Sequence, residues 1–216
     1  MNYNETLMKY IDNRNYDEPI FIEEIKEYFK KIIGDNFEEK FKNIYVYINR
    51  LVKENKLAQF IKGVYYKPLK GILGNKCLDV NKVIVKKYIC DENGQKGYFM
   101  GAYLFNILGL TTQIPKEILV VTNECPNNNI YNNKKLGVLI KKAKIKINND
   151  NYRYLQLLDL LANKENINVE VSNEEELIYK YIKDNHLDMK KVFYYANKTN
   201  NKKAIMKFYE LGGKDA

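Results

Sequence analysis

The sequence predicts an α+β fold in two parts: a helical N-terminal domain closed by a β-hairpin over residues 1–70, and a mixed α/β domain over residues 71–216 that ends in helices. Three observations predict it. Apolar residues recur at helical spacing through residues 7–52. Two short β-branched and aromatic runs then flank Lys62-Gly63. Finally, Pro68–Gly74 brings a proline and two glycines together, as a linker would.

Each element of the first part has its own signal. Leu7, Met8 and Ile11 mark a short helix that stops before the polar stretch Asn13–Asp17. Pro19-Ile20-Phe21 reads as extended, and Ile22, Ile25, Tyr28, Phe29 and Ile32 mark a second helix that Gly34 ends. A third runs from about Phe37 to Asn55, with Phe41, Ile44, Tyr45, Ile48, Leu51 and Val52 as its core stripe. Leu57–Ile61 and Val64-Tyr65-Tyr66 are strands joined by the Lys62-Gly63 turn, and Pro68 terminates the second.

Helices joined by a short turn and followed by a hairpin have the order of a winged helix-turn-helix. In that fold the third helix enters the DNA major groove and the hairpin tip is the wing. With the core stripe fixed, Lys40, Lys42, Asn43, Tyr47, Asn49, Arg50 and Lys53 point outward, and Lys62 stands at the tip. Arginine reaches guanine or phosphate, asparagine pairs with adenine, and lysine neutralises phosphate. A solvated basic face is the competing reading of the lysines alone. Charge distribution favours DNA: the net charge is −5 over residues 1–39, +7 over 40–70, +6 over 71–150 and +1 over 151–216, totalling +9. The chain is rich in Lys, Asn, Ile and Tyr, a bias that AT-rich coding produces unaided, so the distribution is more informative than the sum.

In the second part, Asp79–Ile89 reads as a helix, and Phe99–Leu108 as another capped by Gly109. Thr111–Lys116 is a loop, Ile118–Thr122 a buried strand, and Asn127–Asn133 a polar turn. Within a strand expected over Leu136–Ile147, Lys142, Lys144 and Lys146 alternate with Ala143, Ile145 and Ile147. This face is either a lysine-guarded sheet edge or a second contact for an anionic surface. Tyr152–Leu161 is an amphipathic helix. Ser172 and Glu175 form a capping box opening a helix through His186, where Glu174-Glu175-Glu176 complement the helix dipole. Lys190–Lys198 and Lys202–Leu211 are the closing helices, the last ended by Gly212-Gly213.

The segment Leu108-Gly109-Leu110-Thr111-Thr112-Gln113-Ile114-Pro115, followed by a strand ending Val121-Thr122-Asn123, resembles the AbiEi antitoxin family. That family carries an LGLSTQ-P segment before an apolar strand ending in threonine. Upstream, Leu51-Val52-Lys53-Glu54-Asn55-Lys56-Leu57 and Gly63-Val64-Tyr65-Tyr66-Lys67-Pro68 resemble its winged-helix hairpin. The resemblance covers roughly residues 20–147. Thr111 replaces the family's serine but keeps the hydroxyl, and the turn at 127–133 lacks the family's more basic, glycine-bearing sequence. The resemblance implies an abortive-infection, type IV toxin–antitoxin protein. Its winged helix would bind its own promoter, and its larger domain would counter a nucleotidyltransferase-like toxin from the same operon without requiring a stable complex.

Other classes are disfavoured. No GxxxxGK loop, paired-Asp nucleotidyltransferase motif or Ser/His or Cys/His set occurs, so no catalysis and no cofactor are expected. Cys77, Cys90 and Cys125 make neither a CxxC pair nor an even disulfide set, and His186 is the single histidine. The cysteines are therefore expected as small buried or half-buried side chains, with no metal. No run of about 18 apolar residues suits a membrane span, and Met1–Glu5 lacks a secretory start, so a cytoplasmic product without membrane contact is expected. The alternative function is a winged-helix regulator whose second domain senses a small molecule.

Overall fold

A computed structural model of the chain describes residues 2–34, 37–71, 74–166 and 171–210. In the first helix, α1 (Tyr3–Asp12), the Asn2 side chain accepts from the Asn4 and Glu5 N–H groups, and Leu7, Tyr10 and Ile11 form the buried stripe. β1 (Ile20–Phe21) leads straight into α2 (Ile22–Ile33), where the Phe21 N–H donates to Glu24 Oε2 at 2.9 Å and secures the first turn. Gly34 ends α2, and α3 (Phe37–Lys53) follows. The hairpin of β2 (Ala58–Ile61) and β3 (Val64–Tyr66) completes an antiparallel sheet of order β1-β3-β2, with Tyr65 opposite both Ile20 and Gln59. Leu7, Ile25, Phe29, Ile44, Ile48, Leu57 and Tyr65 form the core beneath it.

Contacts divide the chain into two compact units, Met1–Val83 and Ile84–Ala216. Residues 71–83, which the change of texture near 70 assigns to the second part, group with the first. Lys76 and Lys82 both reach Asp17 Oδ2, at 3.3 and 3.0 Å. The stretch expected as a linker holds a short antiparallel pair, β4 (Lys70–Gly71) and β5 (Gly74–Asn75).

α4 (Val80–Ile84) is followed by a π-helical turn, Val85–Ile89, and a small hairpin of β6 (Cys90–Asp91) and β7 (Gly94–Gln95). β8 (Gly97–Met100), α5 (Ala102–Ile107), β9 (Ile118–Thr122), β10 (Tyr131–Asn133) and β11 (Val138–Lys142) come next. Their sheet has the order β10-β11-β9-β8; β9 and β11 are parallel, the other pairs antiparallel. Then come α6 (Tyr152–Asn163), α7 (Glu174–Asp184), α8 (Met189–Lys198) and α9 (Lys202–Glu210), whose apolar faces close a core around Leu157, Leu158 and Leu161. The chain is α+β.

Several sequence expectations are corrected. Gly97–Met100 is a strand, paired with β9, and Gly101 at φ 70° separates it from α5, which starts at Ala102. β11 stops at Lys142 and lies inside the sheet, and part of the expected Asn-rich turn is β10, which takes the edge position. The N-cap of α7 is Asn173, which makes no side-chain capping bond, so the Ser172–Glu175 box does not form. Cys77 is exposed, and Gly212-Gly213 lie outside the described residues.

Two glycines show different constraints. Gly109 has φ 73°, with its N–H donating to Asn106 O at 3.0 Å and the Leu110 N–H donating to Phe105 O at 2.8 Å, a Schellman closure of α5. Nothing lies within 4 Å of a β-carbon placed there. At Gly97 a β-carbon would overlap the Tyr88 carbonyl oxygen and sit 2.7 Å from that of Val121. Gly109→Ala should therefore cost only about 1 kcal/mol, for the left-handed backbone. Gly97→Ala should cost about 3 kcal/mol or more, because β8 must move off its neighbours. Urea denaturation of the two variants checks the ranking, which equal midpoints would refute.

Candidate nucleic-acid interface

The interface expected on α3 is set by which stripe of the helix is buried. Phe37, Ile44, Ile48 and Leu51 are buried, and Phe41, Tyr47 and Val52 pack partly against the same core. Lys42, Asn43, Asn49, Arg50 and Lys53 are exposed, as the periodicity predicts. Three assignments change. Tyr45, expected in the core, is 36% exposed, and Tyr47, expected outside, is half-buried. Positions 45 and 47 are the two shoulders of the stripe, and a tilt of the helix decides between them. Lys40 is also half-buried on the Tyr47 side. Val46 was not singled out from the sequence; it is 64% exposed at the middle of the outward face. An apolar β-branched residue opposite the core stripe was the available signal.

Arg50 is not free-standing. Its Nε donates to Glu54 Oε1 at 2.8 Å, and Lys56 reaches the other carboxylate oxygen at 2.9 Å. Lys56 and then Arg50 hold the Glu54 carboxyl below the usual range. Exposed pairs of this spacing are weak, and the Arg50 side chain remains 64% exposed. Lys42, Lys53 and Lys62 make no ion pair among the described residues.

The hairpin tip is fixed. Gly63 has φ 85°, and its carbonyl accepts from the Ile22 N–H at 2.9 Å. This pins the turn to the start of α2 and leaves Lys62 exposed beside it. Burial, and then the neighbouring Tyr45 hydroxyl, push the Tyr65 phenol up to about 12. Among the described residues, no hydrogen bond of ordinary geometry reaches Tyr65 Oη.

Not all of the local positive charge faces outward. Lys67 Nζ donates to Asp12 O at 3.3 Å and Arg14 O at 3.1 Å and stands 4.4 Å from the Tyr16 ring centre. It thereby closes the end of α1. Asp17, at φ 62°, is held by Lys82 and Lys76. The Lys82 hydrogen bond is the largest influence lowering its carboxyl below the usual range, against an opposing effect of burial.

In the second unit, Lys142, Lys144 and Lys146 are all exposed and alternate with inward Ala143, Ile145 and Ile147, although the strand has ended. Lys142 Nζ donates to Asn128 Oδ1 at 2.8 Å and Lys144 Nζ to Thr199 O at 3.1 Å. β11 is an inner strand, covered by β10 along Val138–Ile140, whereas Lys141 and Lys142 pair with β9 alone.

The segment from Leu108 to Pro115 is a built loop. Leu110 and Thr111 are buried, Leu108 and Pro115 half-buried, and Gly109, Thr112 and Gln113 exposed. Asn106 Nδ2, unremarked in the sequence, donates to Thr111 O and Gln113 O, both at 3.3 Å, and Thr111 Oγ1 accepts from the Gln113 N–H at 3.3 Å.

Tyr98 Oη donates to Asp159 Oδ2 at 2.8 Å beside a cavity of about 20 Å³. Burial holds the Asp159 carboxyl above the usual range, opposed by Lys141, the Tyr98 bond and Lys144. Space of that size suits a single water rather than a substrate. Among the described residues, no group of three or more His, Cys, Asp or Glu side chains could hold a metal ion, and no helix is long and apolar enough to cross a membrane.

A scan of protein-family models found no match to the chain, and a search of curated proteins found none.

The Asp17 clasp generates a pH prediction. A carboxyl whose folded pKa is depressed stabilises the fold above its unfolded pKa, about 3.9, and that stabilisation is lost as pH falls through the lower folded value. Asp17→Asn should lower the melting temperature at pH 7 and lessen its decline below about pH 4. Thermal denaturation across that range tests this, and parallel curves for the variant and the parent would contradict it.

Proposed function

We propose that the N-terminal unit is a winged helix-turn-helix that binds duplex DNA, with α3 in the major groove and the β2–β3 turn as wing. On this reading the protein is an AbiEi-type autorepressor and antitoxin, without catalytic residues, that counters a nucleotidyltransferase-like toxin from the same operon. The observation that carries the DNA half is one exposed α3 face bearing Lys42, Asn43, Val46, Asn49, Arg50 and Lys53 opposite the buried stripe. It combines phosphate-neutralising cations, an amide and guanidinium able to read purines, and an apolar group for a thymine methyl. The antitoxin half is supported only by the sequence resemblance carried by Leu51–Leu57, Gly63–Pro68, Leu108–Pro115 and the strand ending Val121-Thr122-Asn123.

A second reading, a regulator that senses a small molecule, is favoured by one observation. A groove of about 390 Å³ in the second unit is lined by Phe99, Leu104 and Leu177, with Arg153, Gln156 and Tyr181 among its polar groups. That volume lies within the range of ligand sites. Co-expression with the neighbouring gene separates the two. Rescue of growth by the chain supports the antitoxin, whereas no rescue together with ligand-dependent promoter release supports the sensor.

Asn49→Ala with Arg50→Ala should leave stability within about 0.5 kcal/mol, because both side chains are exposed. It should weaken binding to the protein's own promoter by about tenfold or more. The parent should show a salt slope of about −0.9 for each phosphate contact. Rescue from the toxin, with the variant expressed from an unrelated promoter, should survive. Gel shifts over a salt series check the binding, and a flat salt response or unaltered affinity in the variant would sink the α3 assignment.

A further inference from the structure

We propose that the second unit carries a binding surface for single-stranded nucleic acid, formed by the outward stripe of α8 (Lys190, Lys191, Tyr194 and Lys198) with Lys142 and Lys144 beyond its C-terminal end. This surface is independent of the role proposed for α3.

Charge comes first. Residues 189–209 contain six lysines and no acidic residue. Two of the six are neutralised: Lys203 and Lys207 reach the Glu165 carboxylate at 2.9 and 2.6 Å. Lys190, Lys191, Lys198 and Lys202 are exposed and form no ion pair among the described residues.

Their placement runs against helix electrostatics. A helix N-terminus favours acidic side chains and disfavours cations. α7 follows that rule with Glu174, Glu175 and Glu176 in its first turn, whereas α8 has an acidic residue only at its N-cap, Asp188, and then opens on Met189-Lys190-Lys191 with no acidic residue in the first turn. Capping accounts for Lys144, which donates to the Thr199 carbonyl at the α8 C-terminus. It does not account for Lys190 and Lys191, which lie at the wrong end of the dipole. The N-cap Asp188 accepts the Lys190 N–H on Oδ1 at 2.7 Å and forms no ion pair with either lysine among the described residues.

Geometry then makes one surface of these residues. Val192 and Ala196 are buried, so positions 190, 191, 194, 197 and 198 share the outward side of α8. Lys190 and Lys198 stand about 12 Å apart along the axis, at about 1.5 Å per residue. The Lys144–Thr199 bond brings the exit of β11, with exposed Lys142, to the end of this line.

Tyr194 selects the class of ligand. It is 56% exposed in the middle of the lysine stripe, with Lys198 Nζ 5.5 Å from its ring centre. An acidic protein or a duplex would use the charges, but a duplex keeps its base faces stacked inside. An exposed ring between cations suits the unstacked bases of a single strand.

The test uses the full chain and fluorescence anisotropy with short labelled U and dT oligomers, a duplex, and polyglutamate. Binding to either oligomer is expected, and the tighter of the two identifies RNA or DNA as the source. Tyr194→Ala should weaken it about fivefold or more. Lys191→Ala with Lys198→Ala should reduce the salt slope by about 1.4, about 0.7 for each contact. Lys134→Ala with Lys135→Ala, which removes the same charge from another exposed site, should leave the slope unaltered. Asn49→Ala with Arg50→Ala should spare single-strand binding even where duplex binding is lost. The proposal is overturned if neither oligomer binds, if only polyglutamate does, if the α8 variants act no more than the Lys134/Lys135 control, or if the α3 variant removes single-strand binding.

Discussion

The N-terminal unit depends on the pairing of one three-residue strand on both of its edges. β3 holds β1 on one side and β2 on the other, and Val64, Tyr65 and Tyr66 are all buried. Tyr65 is fully buried: its ring lies in the core shared by the three helices, and burial is the first cause raising its phenol to about 12. β1 continues directly into α2, and the hairpin turn accepts from the first N–H of that helix. α2 is thus set at its start by the sheet, and α3 packs on α2 and the same core. The face that α3 turns to solvent is a consequence of where β3 lies.

Local pairing explains why a basic sequence does not translate directly into a basic surface. Lys67, the residue after β3, is spent on the carbonyls that end α1. Lys76 and Lys82 are held by Asp17, and Lys56 by Glu54, which also pairs with Arg50 but leaves that side chain on the outward face. What remains outward on α3 and the hairpin is a smaller set than the regional charge suggests, but it is concentrated on one face. In the second unit Glu165 similarly removes Lys203 and Lys207 from the accessible positive charge.

Elements with strong local periodicity were legible in the sequence. α2, α3, the β2–β3 hairpin, β9, α6, α8 and α9 all fall where apolar spacing and turn residues place them. Failures have two physical origins. At shoulders of a buried stripe, as at Tyr45 and Tyr47, periodicity leaves the side chain's direction to tertiary packing. Elsewhere the deciding contact was distant in sequence. β8 is a strand because it pairs with β9, and β10 exists because it pairs with β11. Neither has enough residues to announce itself. Lys67 and Asn106 are ordinary polar residues until their carbonyl partners are known. The candidate DNA face was legible through residue type and spacing; Val46 was overlooked because an isolated valine on a polar face carries no recognised pattern.

β10 has one further consequence, which concerns association between copies of the chain. An open sheet edge offers unpaired N–H and carbonyl groups as a template for another molecule. Here the outermost strand on that side is only three residues long, its Tyr131 and Asn132 side chains are exposed, and Lys134 and Lys135 follow at once. A second copy adding itself there would gain very few backbone bonds and would bring like charges together. The apolar β-branched run Ile118–Thr122, the segment best suited to cross-β growth, sits between β8 and β11 and is shielded on both sides. The ordering of four short strands thus keeps the most aggregation-prone sequence in the unit away from its neighbours.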